Sequence, residues 1–571
     1  MKLFCRVFLS LLLVLPGASW AQSGNYILLP LQDLSAFEQG TSNWSIKGGL
    51  AVSPAKGATP QPGTGVLVGT PGAVLQTRVK AQDLRLRLEF ILSPGAEAYL
   101  GLPGGQRVRL SDSWQQAALN AQTSGYIGQF PTQNAAKAPG LWQTVELAFD
   151  ASVPAQAGFS QLNHLALNGV TVQQSVYLPL AKAISGAQPL SLEVRKGTVG
   201  FRNIGYQLLA NSKPLRIETM AYKLYSDAWD ATNLTKLVKE EKTTNLTQEV
   251  GTGMREFQVV YEGTLVVDEA GEYRFTSLYS GPRFLLDIDG KSVLATGEST
   301  SQDAHSASAT LTKGAHPFRL TYSRFPWRPA ALGLRVETAG VRPYDLHSLS
   351  SLPVPAPKPY LDVAPTTRPE LVRSFILLEG EKQKRTHCLS VGNPAGWHYT
   401  VDLNRGALLQ AWRGQFANVT EMWYERGEPQ LLFTAGLTIP LSGKSSLAVL
   451  PSTRAAWPDS ANLNYLGYRL DAQGVPTLRY QMGTATVSDQ VVARPDGLVR
   501  TVRTEGTPDG PLYALLAAGS TITLVEKGLY EVDNRYFVRV DAKARALVRD
   551  SAGQKELLLP VSGTASYTLF W

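Results

Sequence analysis

The densest run of chemically capable side chains lies between residues 386 and 427. His387, Cys388 and His398 are metal-ligand types, and Trp412, Arg413, Trp423 and Arg426 interleave aromatic rings with cations. A His-Cys-x9-His set would hold a transition metal through imidazole and thiolate. Neighbouring residues on a strand point to opposite faces, so His387 and Cys388 are poorly placed to share one ion. A covalently attached haem needs Cys-x-x-Cys-His, which the sequence lacks. The trio therefore reads as a buried thiol beside hydrogen-bonding histidines, and no cofactor is predicted. The Trp/Arg set has two readings. It is a platform on which a sugar ring stacks between polar anchors, or a set of cation–π contacts that locks strands together. Trp229 and Trp327, with Tyr279, form a second aromatic group open to stacking or to packing.

The elements that must position these groups read as all-β. Alternating runs such as Leu84–Phe90, Phe257–Tyr261 and Tyr536–Val540 recur, bounded by Gly, Pro, Asn and Asp. Asp230 to Glu241 is the best helix candidate. Lys2 and Arg6, the apolar run Val7–Leu15 and the Ser19-Trp20-Ala21 ending predict a signal peptide over residues 1–21. The apolar run is too short to span a bilayer, and no other spanning segment follows. Cys5 falls in that leader, so Cys388 is the lone cysteine of the exported chain and no internal disulfide is available. The formal charge of +8 falls to +6 without Lys2 and Arg6. No Lys/Arg block accompanies it, which argues against a nucleic-acid partner.

The chain divides into β-sandwich units in series. The first covers 22–210 and the second 211–349. Residues 350–370 hold six prolines, Pro353 through Pro369, and read as an extended linker. The third covers 371–571 and is large enough for two packed sheets and an extra layer. Near residue 200 the alternation of Val199 and Phe201 changes phase after Arg202 and Asn203, and Ile204, Tyr206 and Leu208 carry it on. A phase switch inside a strand predicts a β-bulge.

Asp33–Phe37, Trp44–Val52, Leu84–Phe90, Gly140–Leu147 and the Leu167-Asn-Gly-Val170 hairpin, closed by Phe201-Arg-Asn-Ile204, resemble the 3-keto-disaccharide hydrolase domain family. The resemblance covers about 180 residues and implies a concanavalin-like jelly roll for the first unit. Members carry Asn-Ser-Gly after the central strand, then Phe or Arg-Gly. Here that segment reads Ser93–Gly101 and lacks both. The following strand keeps an acidic residue, Asp112. The resemblance thus makes Asp112, Glu97, Arg107 and Arg109 the polar candidates of the concave face. Proton removal beside a ketone needs a base and an enolate stabiliser, roles open to Asp112 and Arg109. The other reading is a surface ion pair.

In the second unit, Gly271–Ser277, the Asp287-Ile-Asp-Gly-Lys291 hairpin and Leu311–Tyr322 look like the protective-antigen domain family. Sugar-binding members hold calcium on two adjacent aspartates before the hairpin strand. Ser280-Gly-Pro-Arg283 stands there in this chain, which argues against calcium. The third unit resembles a β domain of exported bacterial multidomain proteins, some with cytochrome c or sugar-dehydrogenase modules. These readings point to an exported protein, periplasmic, cell-surface or secreted, that binds glycans or envelope protein partners through sandwich faces. Two alternatives stand beside that reading. One is cleavage of 3-keto-glycosides by the first unit, with Asp112 as base. The other is an accessory role to a periplasmic dehydrogenase or cytochrome complex.

Overall fold

Alternation of apolar and polar residues produces the first layer pair. Leu84, Leu86, Leu88 and Phe90 all point inward from the strand Leu84–Leu92 and are buried, whereas Arg85, Arg87 and Glu89 face away. The computed structural model describes residues 26–571 except 39–41, 56, 152, 154–155, 157, 181–183, 185, 279–282, 297–303, 328, 354–358, 425–428 and 460–461. The leader at 1–21, Tyr279, Ser280–Pro282 and Arg426 therefore lie outside the described residues.

The chain is all-β, as the alternation predicts. In the first unit an antiparallel eight-stranded sheet runs Val170–Pro179, Phe159–Leu167, Gln143–Asp150, Leu84–Leu92, Val199–Leu208, Gly57–Gly69, Trp44–Ser53, with Ile27–Leu28 added on Val199–Leu208. A four-stranded sheet, Leu75–Ala81, Gln188–Lys196, Glu97–Gly101, Arg107–Ser111, packs against it. The bulge is present. Pairing to the central strand shifts between Arg202 and Gly205, and Asn203 sits at φ 50°. Phe201 and Ile204, three apart, are thereby both buried. The Asn168-Gly169 turn, with φ of 53° and 80°, joins the outer hairpin.

The second unit packs a six-stranded sheet on a four-stranded one around Tyr261, Phe275, Phe284 and Leu320. Its Asp289-Gly290 turn has both residues at positive φ and joins Phe284–Ile288 to Lys291–Ala295. The helix expected at Asp230–Glu241 is not formed. Leu237–Lys242 is an edge strand paired with Ala221–Tyr225. Lys239 and Glu241, two apart and so on one strand face, form an ion pair of 2.9 Å, and Tyr222 Oη donates to Glu241 at 3.0 Å. A spacing of two favours a strand, and every residue of this one is exposed, so no apolar stripe rewards a helix.

The third unit contains sheets of six, four and eight strands. Asp362–Val363, from the proline-rich stretch, adds to the first of these against Asn418 and Ala417. The largest core cluster belongs to this unit, yet it takes in Ala138 and Leu141 from the first. Trp114 packs against both cores and stacks on Phe570, centroids 5.7 Å apart. Arg342 of the second unit reaches the first, donating to Asp150 at 2.9 and 2.6 Å and to Asp83 at 3.2 Å.

Candidate functional site

The four-stranded sheet turns Val108, Leu110, Leu192 and Val194 into the sandwich, so Arg107, Arg109, Glu193 and Arg195 face outward with Glu97 and Tyr99. Arg109 Nη1 lies 3.0 Å from Glu97 Oε1, and Tyr99 Oη donates to that oxygen at 2.9 Å. Lys196 Nζ stands 3.7 Å from Glu97 Oε2. The Tyr99 ring lies between two guanidinium groups, Arg109 at 4.9 Å and Arg195 at 4.8 Å from its centroid. Glu193 ties Arg195 at 2.8 Å and Arg107 at 3.0 Å. Burial and the Glu97 bond hold the Tyr99 phenol above its ordinary range.

The face is partly covered by the segment after Ser111. Gly125 N donates to Arg109 O at 2.8 Å, Arg109 N donates to Tyr126 O at 3.0 Å, and Arg109 Nη1 donates to Gln122 Oε1 at 2.8 Å. The Arg109 and Glu97 side chains are accordingly only 11% and 12% exposed.

Asp112 is placed differently from its expected pairing. Arg109 takes Glu97 as partner, and Asp112 Oδ2 accepts Gly95 N–H at 2.8 Å across the turn that precedes Glu97. Its Oδ1 is buried with no partner among the described residues. Desolvation raises the Asp112 pKa, with the Gly95 N–H opposing it. Sequence reasoning placed Glu97, Arg107 and Arg109 on one face, and the structure brings them together. It missed Tyr99, Glu193, Arg195 and Gln122. The first three were accessible from strand period alone, since each alternates with core residues. Gln122 arrives from a loop that has no period.

In the second unit Trp229, Phe325 and Trp327 cluster. Trp327 stacks on Phe325 at 5.0 Å and meets Trp229 edge-on at 5.8 Å. Trp327 is 61% exposed. Arg283 donates to Ala231 O at 2.8 Å and to Asp230 O at 3.2 Å.

In the third unit the platform does not assemble. Trp412 is fully buried, stacked on Phe416 with planes 3° apart, and its indole N–H donates to Phe416 O at 2.6 Å. No face of that ring is left for a sugar. Arg413 is buried too and donates to Trp114 O and Ala136 O of the first unit. Burial pulls its guanidinium down to about 10, which leaves it charged at neutral pH. Trp423 is exposed at the end of the short helix Thr420–Trp423, away from the buried Trp412. His387 is exposed, whereas Cys388 and His398 are buried. Cys388 donates to Arg385 O at 3.3 Å, and burial pushes its thiol up to about 12. His398 Nδ1 accepts Asn393 N–H at 3.0 Å and its Nε2 bonds Gly414 O at 2.9 Å, the tautomer those partners demand. No group of three or more His, Cys, Asp or Glu among the described residues has metal-binding geometry. Among the described residues no helix is long and apolar enough to cross a membrane.

Two presumed glycosyl hydrolases of Parabacteroides distasonis ATCC 8503 are similar in structure. One is 15% identical with a TM-score of 0.21, over 30% of this chain and 89% of its own. The other is 16% identical with a TM-score of 0.25, over 33% of this chain and 100% of its own. A β-glucosidase from Kluyveromyces marxianus in complex with glucose shares 19% identity with a TM-score of 0.17, over 21% of this chain and 15% of its own. No curated protein matches the chain. The likeness of the second unit to the protective-antigen family rests on its sequence motifs. The model of the 3-keto-alpha-glucoside-1,2-lyase-like domain matches residues 32–206, a span that takes in the first sandwich and its Glu97–Tyr99–Arg109 face.

Proposed function

We propose that this is an exported carbohydrate-binding protein whose first sandwich engages glycan hydroxyls through the outer face of its four-stranded sheet, without turnover. The observation that carries the reading is how its carboxylates are engaged. Glu97 is held by Arg109, Tyr99 and Lys196, and Asp112 caps the Gly95 turn away from Arg109. A base for carbon-acid chemistry needs a free lone pair beside its electrophilic partner. This face instead offers ordered donors around a flat ring, an arrangement suited to binding. Trp327 and Trp423 supply further exposed rings for stacking. Export rests on the leader at 1–21, and N-terminal sequencing of the mature protein should begin at Gln22.

The test is titration of the full chain against neutral glycans with and without calcium, beside incubation with a 3-keto-disaccharide. Binding is expected without calcium, at least tenfold weaker in Arg109→Ala and Arg195→Ala. Absence of any binding, or turnover of the keto-sugar, overturns it. The second reading, cleavage of 3-keto-glycosides, is favoured by one feature: the buried, unpartnered Oδ1 of Asp112. Turnover abolished in Asp112→Ala would establish it.

A further inference from the structure

The third unit carries a pocket that neither the sequence motifs nor the family match assigns. It lies where the strand Asp362–Val363 and the turn Asn393–Gly396 flank the strand Ala407–Asn418, and its volume is about 260 Å³. Tyr360, Asp362, Asn393, Gln415 and Phe416 line it. Tyr360 is 60% exposed, and Asp362 and Gln415 are exposed too. Among the described residues, no side-chain hydrogen bond engages the Tyr360 hydroxyl, the Asp362 carboxylate, the Gln415 amide or the Asn393 Nδ2.

Both walls are fixed in advance. Leu361 N donates to Thr420 Oγ1 at 2.9 Å, Val419 N donates to Leu361 O at 2.8 Å, and Asp362 pairs with Asn418, which together hold Tyr360 and Asp362 in place. On the opposite side Asn393 Oδ1 accepts Ala395 N–H at 2.9 Å and closes its own turn. His398 ties that turn to the sheet, accepting Asn393 N–H and donating to Gly414 O. It is a positioning residue with both nitrogens committed.

The chemistry selects the ligand. No Lys or Arg lines the pocket and both nitrogens of His398 are committed, so it offers no cation to an anionic ligand. One carboxylate is too few for calcium, which takes six to eight oxygens. An exposed ring with a carboxylate and two carboxamides matches the C–H face and hydroxyl rim of a sugar. The volume falls just below the roughly 300 Å³ lower end for drug-sized ligands, which suits one ring. We propose that this pocket is a second saccharide site, for a single neutral pyranose or the end of a glycan chain. The proposal rests on the carbohydrate reading of the protein but not on the first-unit face.

Hydrogen exchange on the full chain separates the two sites. The probes are glucose, galactose, mannose, N-acetylglucosamine, maltose and cellobiose, with glucosamine and glucuronate as charged controls. A neutral sugar should protect 359–365 and 392–398. In Tyr360→Ala, and separately in Asp362→Asn, that protection should need at least tenfold more sugar. Both residues are exposed, so folding is retained. Protection at 97–112 alone supports the first-unit face and overturns this proposal. So does preference for glucosamine or glucuronate, protection unchanged in both variants, or no protection by any probe. Protection at 359–365 with none at 97–112 sustains this site while the first-unit reading fails.

Discussion

His398 carries the clearest pH signature of any single side chain. Burial holds its pKa down to about 4, from 6.5 in an unfolded chain. The unfolded state therefore takes up a proton first as pH falls. Stability is full above about 6.5, declines between about 6.5 and 4, and levels off below. The shift corresponds to on the order of 3 kcal/mol. Thermal unfolding from pH 7.5 to 4 should show this decline, and His398→Gln should flatten it. Asp112 works in the opposite sense. Its raised pKa means that ionisation is less favourable in the folded chain, so Asp112→Asn should leave Tm at pH 7 unchanged or higher. A fall in Tm would mean that the carboxylate is stabilised by something other than Gly95. Arg413 shows where single-residue reading ran out. The Trp/Arg pattern offers a sugar platform or cation–π contacts, and it carries no mark of the first-unit carbonyls that meet the guanidinium. Those acceptors lie 299 and 277 residues away in sequence.

Hairpins and bulges were legible because their chemistry is local. Asn168-Gly169 and Asp289-Gly290 adopt the positive φ that those residue pairs tolerate. Gly169 has open space where a Cβ would stand, so its constraint is the backbone alone. Gly169→Ala should cost about 1 kcal/mol, read as a shifted denaturation midpoint with unchanged slope. A larger loss would point to a steric role. The helix expected over Asp230–Glu241 gives way to the edge strand Leu237–Lys242. Its partner strand decides the matter, and no local signal encodes that partner. Its lysines and glutamates also blunt an exposed edge. The polar face of the small sheet was half legible. The family resemblance located Glu97 and Arg109, and strand alternation should have added Tyr99 and Arg195. The covering loop with Gln122 follows no period and stayed hidden.

At the scale of the molecule the sandwiches are coupled rather than strung loosely. Arg413 bonds the first unit from the third, Trp114 stacks on Phe570, and Trp142 N donates to Asn534 Oδ1 at 3.0 Å. Arg342 closes on Asp83 and Asp150, whose side chains are 7% and 14% exposed. Arg413→Ala strands the buried Ala136 carbonyl and the part-buried Trp114 carbonyl, at a cost on the order of 3 kcal/mol. Calorimetry should show the first and third units melting together in the wild type. In the variant the transition should broaden or split, and one sharp transition at unchanged Tm would refute the coupling.

The shared core around Ala138, Leu141 and Trp114 also bears on synthesis. The surface that receives Trp142 lies 392 residues further along the chain. At about 5–20 residues per second, the first sandwich waits on the order of tens of seconds with that apolar flank uncovered. During that interval the nascent chain is most exposed to aggregation, and an escort covering residues 133–142 would matter more than one acting on the finished protein.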